Sequence, residues 1–113
     1  MSGGQAKHTD TSRVRARLDD VIAELKRKGF WDVSRPSDDK FENMGAFGMN
    51  TMPFSDWLRW VFVPRVESLI ETNGPWPTGS SVAAQAMREG DTDPDIKELV
   101  PVLSRFDALF PSR

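Results

Sequence analysis

Apolar residues enter the chain at a fixed rhythm from Arg13 onward. Val14, Leu18, Val21, Ile22 and Leu25 recur at helical spacing, while Arg13, Arg15, Arg17, Asp20, Glu24 and Arg27 cover the other side. That pattern predicts an amphipathic first helix. Gly29 suits the left-handed position just past its end, and Phe30 can fold back on Leu25. Residues 1–11 are polar and glycine-bearing without apolar period, so the expected organisation is a mobile tail over 1–11 and a single helical domain over 12–113. Between Phe30 and Thr51 the apolar residues Trp31, Phe41, Met44, Phe47 and Met49 follow no period and are interrupted by Pro36, Gly45 and Gly48. A segment of that length with so many aromatics predicts a long ordered loop.

The stretch from Asn50 to Arg65 packs Phe54, Trp57, Trp60 and Phe62 around an internal proline, Pro64. It predicts a second helix starting near Pro53, with Thr51 as its cap, and ending about Thr72 before Asn73-Gly74-Pro75. Apolar residues cover most of its circumference, so it should be the central rod. A shorter third helix is expected from about Ser80 to Glu89. A fourth opens on the cap-and-proline pair Asp93-Pro94 and carries Ile96, Leu99, Val100, Leu103, Phe106 and Phe110. The fold class predicted is all-α, a four-helix bundle with a long ordered loop between helices 1 and 2. Pro64 and Pro101 fall inside predicted helices, where each removes a backbone hydrogen bond and clashes with the preceding turn, so a kink is expected at both.

Two charges lie on apolar faces. At about 100° per residue, Arg65 falls among Phe54, Leu58 and Val61, and Asp107 falls among Ile96, Val100 and Leu103. A buried ion needs a partner, and guanidinium matches carboxylate with two parallel hydrogen bonds, so an Arg65–Asp107 ion pair is expected. Trp57 and Trp60 are the next candidates. Large aromatics at this spacing more often serve the core than a pocket, with Trp60 the more outward of the two. Thr51, Met52, Trp57, Trp60 and Arg65 form the candidate binding set. One arrangement of it is an apolar pocket lined by Trp57, Trp60 and the loop between helices 1 and 2.

Composition narrows the chemistry. Among 113 residues there is no cysteine and a single histidine, His8, which leaves no thiolate or histidine-rich metal site and disfavours a Ser-His-Asp triad. No cofactor or metal is implied. An enzyme would need a convergent carboxylate pair such as Asp38 or Glu42 with Asp56, which spacing alone does not supply. A net charge of −2 gives no overall pull toward phosphate backbones, and direct nucleic-acid binding is disfavoured. The first helix is nonetheless locally basic, which leaves room for a weak RNA or acidic-partner contact. Asp91-Thr92-Asp93-Pro94-Asp95 has the look of a calcium loop, but Ile96 stands where glycine is needed and Val102 where the bidentate glutamate belongs. No run approaches the ~20 apolar residues of a membrane span, and the first residues lack the apolar core of a secretory signal, so a cytoplasmic protein is expected.

Asn50-Thr51-Met52, Trp57-Leu58-Arg59-Trp60-Val61-Phe62-Val63-Pro64-Arg65, Leu69-Ile70 and Phe106-Asp107-Ala108-Leu109-Phe110 together resemble the YqcC-like family of small bacterial proteins. The resemblance spans roughly Arg13 to Phe110 and implies a four-helix bundle with no assigned activity. Thr51, Met52, Trp57, Leu58, Pro64 and Arg65 match the family pattern, whereas Asn50, Arg59 and Val66 stand where Asp, Gln and Met are expected. Members are often encoded beside, and sometimes named after, tRNA pseudouridine synthase C. That implies a non-enzymatic adaptor assisting the synthase by protein contact. Arg17-Leu18-Asp19 matches the fragment around the catalytic aspartate of many pseudouridine synthases, but it lies in a plain amphipathic helix without the surrounding motif.

Overall fold

A computed structural model of the chain describes residues 10–111. The first helix, α1 (Thr11–Arg27), starts where the Asp10 carboxylate accepts a 2.9 Å hydrogen bond from the Ser12 N–H, satisfying one of the helix's orphan donors. The tail expected over 1–11, His8 included, lies outside the described residues up to residue 9. Val14, Leu18, Val21 and Leu25 form the buried side of α1. Its end is built as the spacing predicts. Gly29 adopts φ +80°, the Phe30 N–H bonds back to the Leu25 carbonyl at 2.8 Å, and the Gly29 N–H bonds to Lys26 at 3.2 Å.

The connection to the second helix is ordered, with short 3₁₀ turns at Asp38–Phe41 and Ala46–Gly48. Trp31, Phe41, Met44 and Phe47 pack on the core from this loop. The Asn50 N–H bonds to the Met44 carbonyl at 2.8 Å, and the Thr51 hydroxyl donates to the Lys40 carbonyl. Thr51 therefore closes the loop and does not cap the next helix. Pro53 holds that N-cap position without a side-chain bond. Gly48, at φ +72°, lets the loop lie on the rod: a Cβ there would stand 2.9 Å from Met52 Cγ and 3.0 Å from Trp57 Cδ1.

Phe54–Trp57, a π-helical turn Leu58–Phe62, and Val63–Thr72 run on as one rod, α2 (54–72). Seven of its residues are buried, and it ends where Asn73 turns left-handed at φ 55°. Then follow α3 (Val82–Glu89), the short α4 (Pro94–Lys97) and α5 (Val100–Asp107). Asp93 caps α4 as expected, accepting from the Asp95 N–H at 3.0 Å. The single fourth helix expected from Pro94 onward is divided instead. Pro101 has no N–H to offer the preceding turn, so the chain turns at Glu98 and Leu99 and restarts with the proline in the first turn of α5. No strand occurs among the described residues. The four helical arms, α1, α2, α3 and the α4–α5 pair, make the expected all-α bundle, with α1 packed on α2 and α5, and α3 on α4 and α5. Leu18, Leu25, Leu58, Leu99 and Leu103 are fully enclosed where the arms meet.

The π turn corrects the expected Arg65–Asp107 ion pair. The Val63 N–H bonds to the Leu58 carbonyl, five residues back, in the turn just ahead of Pro64. Widening that turn relieves the clash between the proline ring and the Trp60 carbonyl, and it inserts one residue into the helical count. In an unbroken α-helix 54, 58, 61 and 65 would share a face. After the insertion the sequence of inward positions slips to 54, 58, 62 and 66, so Phe62 and Val66 are buried and Arg65 is exposed. The kink expected at Pro64 is thus a change of phase. Asp107 does turn inward, but toward α3. Its carboxylate accepts from the Val82 N–H at 3.2 Å, the Ala83 N–H at 2.8 Å and the Ser80 hydroxyl. It forms no ion pair or hydrogen bond with Arg65.

Ion pairs tie the arms at their ends. Lys28, only 11% exposed, lies 2.8 Å from Asp95 and 3.1 Å from Glu98, joining the end of α1 to α4. Hydrogen bonding to Lys28 holds the Glu98 carboxyl below the usual range, and Arg27 does the same for Glu24. Asp56 is displaced the other way, raised by burial.

Two outcomes follow from these contacts. Asp107→Ala is expected to cost about 1–2 kcal/mol, the usual loss of a helix cap, whereas Arg65→Ala should stay within about 0.5 kcal/mol as an exposed change; urea unfolding of both variants measures the contrast, and equal large losses would restore the ion pair. The second outcome concerns acid. A carboxylate with a depressed folded pKa stabilises fully above its unfolded pKa and loses that contribution as pH falls through the folded value. Glu24 and Glu98 therefore predict a melting temperature that drops below about pH 4.5, and Lys28→Met should shrink the drop; a melting temperature flat down to acid pH would contradict it.

Candidate functional site

Seven aromatic rings make a continuous chain through the molecule. Phe47 meets Phe54 and Trp57 edge-on at 6.3 and 5.3 Å, and Phe54 stacks on Trp57 at 5.9 Å. Trp57 touches Phe62 at 5.7 Å, Phe62 meets Phe106 at 5.0 Å, Phe106 meets Phe110 at 5.4 Å, and Trp76 closes the chain against Phe110 at 6.0 Å. These spacings are those at which aromatic pairs add stability beyond simple burial. The chain joins the loop before α2, α2 itself, α5 and the segment after α2.

Along this chain opens a cleft of about 400 Å³, walled by the second half of α2, the segment 75–82 and the end of α5. Phe62, Val66 and Leu69 come from α2, Phe106 from α5 and Phe110 from the turn just after it. Trp76 stands half-buried between Pro75 and Pro77 and forms the opposing wall. Arg65 lies at the edge, exposed and without an ion-pair partner among the described residues. Ser80 and Ser81 complete the lining, with the Ser80 hydroxyl engaged by Asp107. The surface offers apolar contact and one guanidinium. It suits an apolar group carrying, or standing beside, a negative charge.

The structure divides the residues singled out from the sequence. Trp57 and Arg65 both line the cleft, and Phe47 brings the loop to it. Met52 is buried in the core and Thr51 bonds within the loop. Trp60 is not among the cleft's lining residues. Arg59 is held between two indoles, 3.8 Å from the Trp31 ring centre and 4.1 Å from that of Trp60, while its Nε donates to the Trp31 carbonyl at 2.8 Å. This stack pins the start of the loop to α2. The pocket expected to include Trp60 is therefore built instead from Trp76, Phe106 and Phe110. The signals that could have located it were Trp76 flanked by two prolines, and Phe106 and Phe110 four residues apart in the sequence.

Among the described residues no three His, Cys, Asp or Glu side chains converge as a metal-holding group. Asp38 is paired with Arg35 at 2.8 Å. No described helix is long and apolar enough to cross a membrane.

Comparison with known proteins gives consistent results. The chain is 32% identical over 103 residues to the uncharacterised protein YqcC of Escherichia coli K12, covering 90% of this chain and 94% of that one. The solution structure of E. coli YqcC superposes with a TM-score of 0.77 over 90% of this chain and 88% of that one. An uncharacterised Haemophilus influenzae protein is 25% identical over 81 residues, 69% of this chain and 76% of that one. A protein of Pectobacterium carotovorum named tRNA pseudouridine synthase C matches over 61 residues at 34% identity, 54% of this chain but 16% of that protein. Residues 13–109 fit the family model DUF446, described as tRNA pseudouridine synthase C. The family match over residues 13–109, the identity to YqcC and the shared helical fold agree, and the chain belongs to the YqcC-like (DUF446) family.

Proposed function

We propose that this protein is a non-enzymatic binding module that docks on a tRNA pseudouridine synthase through the aromatic cleft. The carrying observation is the Pectobacterium relative: a segment similar to this chain forms a minor part of a much longer polypeptide bearing the synthase name. Covalent attachment holds two modules at millimolar effective concentration, an arrangement that is useful only where the modules act on one another or on a shared substrate. A separate chain needs a contact surface to achieve the same proximity. The cleft supplies it, with an apolar floor for anchoring side chains and Arg65 to set the orientation of an acidic neighbour.

Its chemistry favours holding over transforming. Apart from Arg65 and two serines the walls are rings, prolines and aliphatic groups, and the Asp107 carboxylate, held by Ser80, is occupied by the N-terminus of α3. A second reading has the cleft's volume in its favour: about 400 Å³ is within the range of small-molecule sites. In that reading the occupant is a small apolar acid that Arg65 would pair.

Calorimetry of the purified chain against the synthase from the same genome is expected to show a saturable complex. Leu69→Glu, which puts a charge on the half-exposed wall of the cleft, should weaken it at least tenfold, or about 1.4 kcal/mol, with an unchanged helical melting curve. Absence of a complex, or full-strength binding by Leu69→Glu, overturns the docking reading. A thermal shift with a small aromatic carboxylate in the same preparation would then favour the second.

A further inference from the structure

A different face carries three arginines that the cleft does not use. Arg13 and Arg17 are one turn apart on α1, and Arg105 comes from α5, which packs against it. Together with Ala108 and Leu109 they enclose a second concavity of about 320 Å³. Like charges one turn apart repel, and a third cation from a facing helix adds to the cost. The acids nearby only partly offset it. The Asp20 carboxylate stands 3.2 Å from Arg17 Nε, but the nitrogen is not aimed at it and remains buried without a hydrogen bond. Glu24 feels the charge of Arg105 but is held by Arg27 in a two-pronged contact at 2.7 and 3.1 Å. Asp10 feels Arg13 but is committed to capping α1 through Ser12. Arg13 and Arg105 have no ion-pair partner among the described residues.

We propose that Arg13, Arg17 and Arg105 form a binding site for a phosphate group, between α1 and α5. Three arginines lining one hollow offer many N–H donors in planar forks, a geometry that matches the several oxygens of a phosphate. Arg17 Nε makes no hydrogen bond with Asp20, so the guanidinium is not committed to that acid and its other donors can meet a phosphate oxygen. A lysine cluster would provide charge without this directional fit. Ala108 and Leu109 give the hollow an apolar edge, so that its arginines act in a less screened setting than on an open surface. The overall charge of −2 makes the site a local one, suited to a single phosphate or a short stretch of backbone rather than to a long duplex. The phosphate can belong to a nucleic-acid backbone or to a small free phosphate compound. The site stands apart from the cleft and does not depend on the synthase reading.

Nitrogen-15 NMR of the full chain, observing the arginine Nε–Hε signals, tests it with inorganic phosphate and with a short single-stranded RNA. Phosphate is expected to shift the signals of Arg13, Arg17 and Arg105 and not that of Arg88 on α3. RNA shifting the same three, at least tenfold more tightly, identifies a backbone source; phosphate alone acting identifies a small free compound. Arg17→Gln and Arg105→Gln should each weaken binding by tenfold or more, Arg17→Lys should restore it only in part, and each lost arginine should lower the salt slope of RNA binding by about one. Arg88→Gln should bind as the parent does. The proposal is overturned if phosphate leaves the three signals unmoved, if a glutamate-rich peptide shifts them and phosphate does not, or if Arg88→Gln weakens RNA binding as much as Arg17→Gln. Thermal melting of each variant separates lost binding from lost fold.

Discussion

The constraint on which the molecule's geometry turns is the ring of Pro64 set against the turn before it. A regular α-helix cannot hold proline at that point without a collision at the Trp60 carbonyl, and the chain answers with one wide turn over Leu58–Phe62. The consequence is rotational. Everything on α2 beyond the turn is displaced by one residue's rotation, roughly 100°, so that Val63 and Val66 enter the core and Arg65 leaves it. Without the slip a guanidinium would lie against the α5 side of the core, a position that would require a partner at a cost of several kcal/mol. With it, Phe62 reaches Phe106 and the cleft acquires a cation at its edge.

A second constraint holds the other wall. Ser81, the residue before α3, provides no side-chain cap, and α3 is only eight residues long. Short helices are marginal on their own. Asp107 supplies the missing acceptors from a different helix, placing negative charge at the positive end of α3 and fixing the segment 80–83 to α5. Because Ser80, Ser81 and Val82 line the cleft, the same carboxylate that stabilises α3 also sets the shape of the opening. The aromatic chain then couples the two constraints, running from Phe47 in the loop to Trp76 beyond α2.

Much of this was legible in the residues. Gly29 with Phe30, Asn73 with Gly74, and Asp93 with Pro94 each state a local backbone rule, and local rules hold whatever the tertiary surroundings. The core of α1 and the ordered loop followed from periodicity and aromatic content for the same reason. What failed was extrapolation along a helix across a proline. Placing Arg65 inward assumed constant 3.6-residue pitch over eleven positions, and one inserted residue is enough to reverse the answer. Asp107 was expected to need the Arg65 guanidinium, but its partners are backbone N–H groups of α3 and the Ser80 hydroxyl. Those backbone donors exist at every helix start and carry no side-chain signature. The cleft was hidden because its walls come from three segments distant in sequence, and the Arg13–Arg17–Arg105 hollow because two helices had to be docked before the third arginine had a place.

The two concave surfaces differ in a way that follows from α5 alone. Phe106, with Phe110 from the turn after α5, looks into the apolar cleft, while Arg105, with Leu109 from the same turn, borders the arginine hollow. One eight-residue helix thus presents an uncharged aromatic surface on one side and a cation on the other, with Asp107 between them anchoring α3. Any small rotation of α5 would have to strain all three: the ring contacts at 5.0 and 5.4 Å, the three hydrogen bonds of Asp107, and the packing on α1. Packed interiors resist such continuous deformation. The spacing between the aromatic cleft and the arginine hollow is therefore fixed by the packing of α5.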